Sequence, residues 1–209
     1  MKHEWRKSEK QLYLPKLKPE VLVIPEFQFL TISGEGNPNN KAFPAYISTL
    51  YAVSYAIKMT LKRSSPPKNY MDYTVYPLEG IWGINEEAIK TYDGTLNKDD
   101  LVFKLMIRQP EFVSNAFVQD MLELTKKKKP HPLLEQVKFQ KIAEGKCVQM
   151  MHVGPFEKEQ ETFIVMEEFA KKNELNRLSK EHREIYLSDF RKVSPEKLKT
   201  VLRFQVNSK

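Results

Sequence analysis

The two halves of this 209-residue sequence share one predicted order of elements, which is strand, helix, strand, strand. Each helix is predicted from apolar residues spaced three and four apart, and the strands from short runs rich in β-branched and aromatic residues. The two helical stripes are Tyr46, Leu50, Val53, Ile57 and Leu61, and then Phe156, Phe163, Met166 and Ala170. Because the same order of elements recurs, each half is predicted to form the same small α+β unit, and this repeat constrains the fold more than any single motif.

Matching positions support the repeat. Gly34 corresponds to Gly154, Val75–Tyr76 to Ile185–Tyr186, and Leu105–Met106 to Val201–Leu202.

We expect an α+β fold, a tandem strand-helix-strand-strand (SHS2) repeat with pseudo-twofold symmetry, in which an antiparallel sheet carries helices on one face and a concave ligand cleft on the other. The predicted parts are an N-terminal lead-in (1–20) and a single domain (21–209) made of a first repeat (about 21–110), a connecting helix (about 111–129) and a second repeat (about 140–209).

Composition narrows the class of protein. The single cysteine, Cys147, excludes an intrachain disulfide framework and a multi-cysteine zinc site, which fits a reducing compartment. The sequence shows no signal peptide and no apolar run long enough to cross a bilayer. We therefore expect a cytoplasmic protein that does not contact membranes. The net charge of +7 comes from scattered basic residues and permits an acidic partner without indicating one.

The segment His182–Ser188 alternates polar and apolar residues, which is typical of a strand. If Ile185 and Leu187 face the helices, Glu184 and Tyr186 face the opposite way and share one surface. The equivalent surface of the first repeat would carry Tyr76, followed by a segment with Glu79 and Trp82. Aromatic walls around one or two acids suit a flat, apolar or cationic ligand. The alternative is a polar strand surface that faces solvent.

A second candidate lies at the turn Gly154–Pro155, where His152 and Glu157 flank the chain reversal and could form a proton-transfer pair. The alternative is that Glu157 caps the following helix and that backbone groups satisfy a partly buried His152. No two histidines have metal-ligand spacing, so we expect neither a metal nor another cofactor. Cys147 lies mid-strand among apolar residues, where a thiol is usually inert.

Five segments together resemble the GyrI-like small-molecule-binding family. They are Tyr73–Trp82, Leu105–Glu111, Cys147–Phe156, His182–Asp189 and Leu198–Arg203. The resemblance implies two strand-helix-strand-strand modules around an aromatic pocket with acidic residues at its base. It also implies kinship with the ligand-sensing domains of multidrug-responsive regulators and with stand-alone members that hydrolyse DNA-alkylating cyclopropanoids. The sequence is similar to the stand-alone class, since residues 1–20 are too short for a helix-turn-helix and no direct nucleic-acid contact is expected.

Carried onto this sequence, the resemblance implies the acids Glu184, Glu157 and Glu79 and the pocket aromatics Trp82, Tyr76, Tyr186 and Phe156. We therefore expect Glu184, Tyr186 and Glu157 to be catalytic, and Trp82, Glu79, Tyr76, Phe156 and His152 to bind the ligand. Glu184 would be the general base that orients water at the strained carbon, and Tyr186 would donate to the carbonyl oxygen as it gains negative charge. One alternative is a binding module that sequesters or senses drugs without chemistry. Another is inhibition of a topoisomerase through an exposed protein surface.

Overall fold

The computed structural model describes residues 2–63, 66–91 and 95–208, and these form a mixed α+β fold with antiparallel sheet. The strands are β1 (Lys2–His3), β2 (Glu20–Glu35), β3 (Asp72–Tyr73), β4 (Leu78–Ile84), β5 (Leu101–Gln109), β6 (Lys138–Val153), β7 (Leu175–Arg177), β8 (His182–Tyr186) and β9 (Lys199–Ser208). The α-helices are α1 (Trp5–Ser8), α2 (Lys10–Tyr13), α3 (Phe43–Arg63), α4 (Glu86–Lys90), α5 (Asn115–Lys128) and α6 (Glu159–Lys172).

The chain divides into two compact units. The first unit consists of Met1–Glu4, Phe27–Leu78 and Ile84–Ile142, and the second of Trp5–Glu26, Glu79–Gly83 and Ala143–Lys209. Met1 and Lys209, at the outer ends of the predicted lead-in and second repeat, lie outside the described residues. Across the ranges that the structure describes, no helix combines the length and apolar character needed to span a membrane.

In the first unit, helix α3 packs against strand β5 and helix α5. Its buried side chains include Leu50, Val53, Ile57 and Leu61, which confirms the predicted stripe. Strands β2 and β5 pair antiparallel, from Gln28 opposite Gln109 to Glu35 opposite Val102. The predicted connecting helix is present as α5, which starts later than expected because the Ser114 hydroxyl caps it by accepting from the Phe117 backbone N–H.

Gly34 was expected to form the turn after the first strand, but it lies within β2 opposite Phe103. A Cβ atom added to Gly34 would come within 2.6 Å of the Phe103 ring, so this position has room only for glycine. The chain turns instead at Gly36, whose φ of 96° is readily adopted only by glycine. The residue that resembled Gly154 in the sequence therefore serves close packing, not chain reversal.

The second strand of the first repeat also differs from its prediction. Val75–Tyr76 were expected to correspond to Ile185–Tyr186, but the strand in this region, β3, consists only of Asp72–Tyr73 and pairs parallel with β1. The longer strand is β4, just past Pro77. The β-propensity of the Tyr-Thr-Val-Tyr run predicted a strand there. The longer strand forms in the next segment instead, because that segment, β4, pairs with β8.

In the second unit, β4 pairs with β8, β8 with β9, and β9 with both β6 and β7, all antiparallel. Helix α6 covers one face of this sheet, where Phe163 and Met166 pack in a cluster with Leu202 and Phe204. Residues 5–26 belong to the same unit and contribute buried Trp5 and Tyr13. The N-terminal lead-in contains two short helices, α1 and α2. Helix α2 lies close to β6 and β9, since Gln149 donates to the Gln11 carbonyl and Arg203 to the Leu12 carbonyl.

Candidate functional site

The candidate site lies in the second unit, on the face of the sheet that α6 covers. Glu184 sits opposite Gly80 on β4 and opposite Leu202 on β9, and residues directly opposite in antiparallel strands share a face. Leu202 belongs to the cluster under α6. The expectation that Glu184 and Tyr186 point away from the helices is therefore wrong, and Ile185 points away instead.

A hydrogen-bonded chain links Trp82 to Glu184 through Tyr186. The Trp82 indole N–H donates to the Tyr186 hydroxyl over 2.7 Å, and that hydroxyl donates to the Glu184 carboxylate. Burial, followed by the negative charge and hydrogen bond of Glu184, raises the pKa of Tyr186 well above its ordinary value. We expected Tyr186 to donate to a ligand, but in this structure its proton is directed at Glu184.

The Glu184 carboxylate receives further donors. His182 Nε2 lies 3.0 Å from Glu184 Oε1, and the His182 ring packs edge-to-face on Phe163 with 4.7 Å between ring centroids. Glu159, the first residue of α6, also hydrogen-bonds to Glu184. A buried carboxylate with this many partners is held in one orientation. We call Trp82, Glu159, His182, Glu184 and Tyr186 the acid cluster.

Glu159 is the most unusual member of the acid cluster. It is only 7% exposed, and its Oε1 atom is buried without a hydrogen-bond partner among the described residues. Burial, the neighbouring Glu184 charge and the hydrogen bond to Glu184 raise the pKa of Glu159 well above the usual carboxyl value, and the charge of Glu157 adds to this. Two carboxyl groups in contact away from water retain a proton between them.

Aromatic rings border the acid cluster on the side of the turn before α6. The Phe156 ring meets the Tyr186 ring edge-on, with 6.0 Å between ring centroids. Phe156 is 37% exposed, so it presents an apolar surface to solvent beside buried acids. The structure therefore brings together Trp82, Phe156, Glu184 and Tyr186 among the predicted site residues.

His152 and Glu157 lie on either side of the same turn. His152 shares the face of Tyr186, because both residues stand opposite Thr200 on β9. Its two ring nitrogens are engaged, Nδ1 with the Thr162 hydroxyl at 2.8 Å and Nε2 with the Pro155 carbonyl at 3.2 Å. This arrangement matches the alternative of a locally satisfied, buried histidine. Glu157 is exposed and acts on Glu159 through its charge.

Glu79 is placed away from the acid cluster. It stands opposite Ile185, on the other face of the sheet, and is 2% exposed. Arg183 NH1 donates to Glu79 Oε2 over 2.8 Å, and Glu144 pairs with both Arg183 and Arg203. Burial raises the pKa of Glu79, while the Arg183 and Arg203 charges oppose that rise. Glu79 thus belongs to a buried ion network.

Tyr76 belongs to the first unit, where it is surrounded by protein groups. The Arg108 guanidinium lies 4.7 Å from the Tyr76 ring centroid and 3.4 Å from that of Phe27. The Tyr76 hydroxyl lies 3.3 Å from His3 Nε2. A buried cation already occupies the ring face that we expected to receive a ligand.

Glu159 and His182 were not predicted as site residues. A signal for Glu159 was present, because Glu159, Phe163, Met166 and Ala170 follow one helical stripe at spacings of four, three and four. An acid on an apolar stripe is unusual, since a buried charge requires a partner. His182 carried no comparable signal, because its role depends on the neighbouring Glu184.

Three other kinds of site were considered in the described residues, namely a metal site, a reactive thiol and a surface depression. In residues 2–63, 66–91 and 95–208, no group of three or more His, Cys, Asp or Glu side chains is arranged to hold a metal ion. Cys147 is buried, and burial raises the pKa of its thiol to about 12, so it is unsuited to nucleophilic attack. A surface depression of about 430 Å³ near the end of α6 is lined by Glu167, Lys171, Arg177 and Lys180 among others, and not by the acid cluster.

The acid cluster supplies three elements of a small-molecule site. It has a carboxylate held by fixed donors, a second carboxyl group whose pKa is raised well above the usual value, and aromatic rings of which one reaches the surface. Acid and base groups in contact can exchange a proton with a bound molecule. The rings and the acids together also favour flat or cationic ligands.

Comparison with known proteins places this fold in a family. The sequence pattern of the GyrI-like small molecule binding domain matches residues 17–207. A solved structure of an uncharacterized conserved protein from Listeria innocua is 37% identical, with a TM-score of 0.87, and the match covers 98% of this chain and 100% of that chain. A hydrolase from Listeria innocua is also 37% identical, with a TM-score of 0.88 and coverage of 99% and 100%. None of the curated proteins matches this chain.

A more distant structure shares the fold alone. The C-terminal domain of EcmrR is 14% identical, with a TM-score of 0.53, and the match covers 92% of this chain and 98% of that domain. The family pattern covers every residue of the acid cluster and its aromatic border. This chain belongs to the family of GyrI-like small molecule binding domains.

Proposed function

We propose that this protein binds planar hydrophobic or cationic small molecules at the acid cluster and hydrolyses strained electrophilic ones of the cyclopropanoid type, which would protect the cell from alkylation. The observation that carries the proposal is the Glu184 carboxylate, held by His182 and Tyr186 beside a second buried carboxyl group. An uncompensated carboxylate at this depth would be costly, so the sequence maintains it with dedicated partners.

The aromatic border supports the choice of ligand. Phe156 offers a partly exposed ring, and Trp82 and Tyr186 lie behind it in a fixed hydrogen-bonded pair. Ring faces stack on flat molecules and attract cations, while the acids favour positive charge or hydrogen-bond donors. A planar molecule with an electrophilic carbon would thus be held with that carbon near the acids.

The proposed reaction is the addition of water to a cyclopropane joined to a conjugated carbonyl. Water forms a C–O bond to the strained carbon and gives its proton to Glu184, the ring C–C bond breaks, and the bond's electron pair moves to the carbonyl oxygen. Ring strain lowers the barrier, so positioning supplies much of the acceleration. Two Listeria innocua relatives at 36% and 37% identity carry the name hydrolase, which supports a hydrolytic reaction without specifying its substrate.

The second candidate function is capture without turnover. The family description is that of a small molecule binding domain, and the fold is shared with the C-terminal domain of EcmrR. A sequestering or sensing protein would use the same rings and acids for binding but would release the ligand unchanged. Inhibition of a topoisomerase would depend on an exposed surface and would persist when the acid cluster is blocked.

The test is incubation with a panel of cyclopropane-bearing alkylators and aromatic cations. Mass spectrometry follows the appearance of substrate plus one water, and Trp82 quenching in a Trp5→Phe background follows binding. We expect the wild type to hydrate at least one alkylator and Glu184→Gln to lose about 10²-fold or more of that rate. Glu181→Gln, an exposed acid just before β8, is the matched control. Saturable binding without a hydrated product across the panel would favour the capture function.

A further inference from the structure

Glu159 belongs to the acid cluster, but the reaction proposed above gives it no role. That reaction leaves negative charge on a carbonyl oxygen, and a proton must reach it. We propose that Glu159 is the proton donor of the ring-opening step and that it restores itself by taking the proton that Glu184 has removed from water. The inference rests on the proposed hydrolytic function and adds a second catalytic residue to it.

The geometry of Glu159 supports this role. Glu159 is buried and in hydrogen-bond contact with Glu184, and no N–H or other donor among the described residues reaches its Oε1 atom. A buried polar atom left unpaired costs stability, and such atoms recur where a ligand completes the bonding. Because Glu159 opens α6, its backbone is fixed by a helix, so the carboxyl group is held in place.

The charges around Glu159 determine which form it takes. Glu184 faces it from β8, and Glu157 lies two residues before it, so both neighbouring acids disfavour a second negative charge. Two groups act the other way, namely the start of α6, which favours negative charge, and His182 when it is protonated. Tyr186 also faces the pair and stays neutral. Burial, reinforced by the charges of Glu184 and Glu157, raises the pKa of Glu159 well above the usual carboxyl value, which favours its protonated form.

Tyr186 is less suited to donate. Its hydroxyl accepts from Trp82 and donates to Glu184, and its pKa is raised well above the ordinary phenol value, so it gives up a proton less readily. Glu157 is exposed to water and lies outside the buried pair of carboxyl groups. Glu159 is therefore the acid of the cluster that has both a proton and a buried, unpaired oxygen.

Over one turnover, Glu184 and Glu159 both return to the protonation state in which they started. When a substrate carbonyl enters, the Glu159 O–H turns from Glu184 to that oxygen, and this frees a Glu184 lone pair for water. The C–O bond then forms, the ring bond breaks, Glu184 gains a proton from water and Glu159 loses its proton to the carbonyl oxygen. Transfer of the proton from Glu184 to Glu159 through their contact restores the starting state.

The kinetic test compares the wild type with Glu159→Gln, Glu159→Asp and the exposed control Glu161→Gln across a pH series. We expect Glu159→Gln to lower kcat by about 10²-fold or more with a much smaller change in KM, and to abolish the fall in rate at high pH. Glu159→Asp should retain that fall and part of the rate. Glu161→Gln should match the wild type. A kcat within about twofold of the wild type in Glu159→Gln, or an unchanged alkaline fall, would overturn the assignment.

A spectroscopic measurement separates this inference from the proposed function. The infrared difference spectrum of wild type minus Glu159→Gln, at neutral pH without substrate, should contain the carbonyl stretch of a protonated carboxyl group. The same band should survive in Glu161→Gln, and circular dichroism verifies that each variant folds. Absence of the band overturns the donor role whether or not any substrate turns over. A band without turnover of any substrate would instead reject the hydrolytic function.

Discussion

At the scale of single residues, the acid cluster depends on the Tyr186 hydroxyl. It is the acceptor for the Trp82 N–H and a donor to Glu184, so one oxygen atom fixes both an aromatic wall and the orientation of a carboxylate. A hydrogen bond is worth little net free energy in a folded protein, but a buried group left unpaired is costly.

Replacing Tyr186 with Phe tests this dependence. We expect Tyr186→Phe to lower the free energy of unfolding by about 1–3 kcal/mol, because the buried Trp82 N–H loses its acceptor and Glu184 loses a donor. Urea denaturation measures the loss, and Trp82 emission in a Trp5→Phe background should shift. Tyr55→Phe, on the exposed side of α3, is the control and should stay within about 0.5 kcal/mol of the wild type. Equal stability of the two variants would contradict the prediction.

At the scale of elements, strand β8 carries charged residues on both faces. His182, Glu184 and Tyr186 lie toward α6, whereas Arg183 lies on the other face and bonds to Glu79 of β4. The network of Glu79, Glu144, Arg183 and Arg203 therefore ties β4 to β8 on one face while the acid cluster ties them on the other. Charges this deeply buried are stable only when they are paired.

Removing one partner of the Glu79–Arg183 ion pair should lower the free energy of unfolding more than removing both partners. We expect Glu79→Met to lower the free energy of unfolding by about 3–5 kcal/mol, because Arg183 would keep a buried charge with fewer partners. The double variant with Arg183→Met should regain stability, since Glu144 retains its bond to Arg203. Equilibrium unfolding of the single and double variants measures the coupling. Strictly additive losses would show that Glu79 and Arg183 do not stabilise the fold as a pair.

At the scale of the whole molecule, the buried acids link stability to pH. The pKa of Glu159 is raised in the folded protein, so the folded state binds this proton more tightly than the unfolded chain does. The stabilisation is complete below the ordinary carboxyl pKa and is lost as the pH rises through the raised value. The pKa of Glu79 is raised in the same direction, because burial outweighs the opposing charges of Arg183 and Arg203.

The variant Glu159→Gln should remove the contribution of the Glu159 carboxyl group to the pH dependence of stability. We expect its melting temperature to approach that of the wild type near pH 4 and to exceed it increasingly as the pH rises, because the amide never ionises. Thermal unfolding from pH 4 to pH 8 provides the measurement. Parallel curves for the two proteins over that range would mean that Glu159 has the same proton affinity in the folded and unfolded chain.

The sequence by itself determined the elements and the family. Apolar spacing located α3 and α6, alternation located β8, and five short segments indicated the GyrI-like family. The sequence also predicted Trp82, Phe156, Glu184 and Tyr186 as site residues, and these lie together in the structure. These features are local, because periodicity follows from backbone geometry within one element.

The tertiary structure decided which way β8 faces and which acids meet. Alternation shows that Glu184 and Ile185 point in opposite directions, but not which of the two points to the helix. Both faces of β8 are covered, since Ile185 is fully buried and the neighbouring Arg203 bonds to α2, so polarity could not separate inside from outside. Glu184 tolerates burial because Tyr186, His182 and Glu159 hydrogen-bond to it, and only the packing of α6 brings Glu159 into that contact.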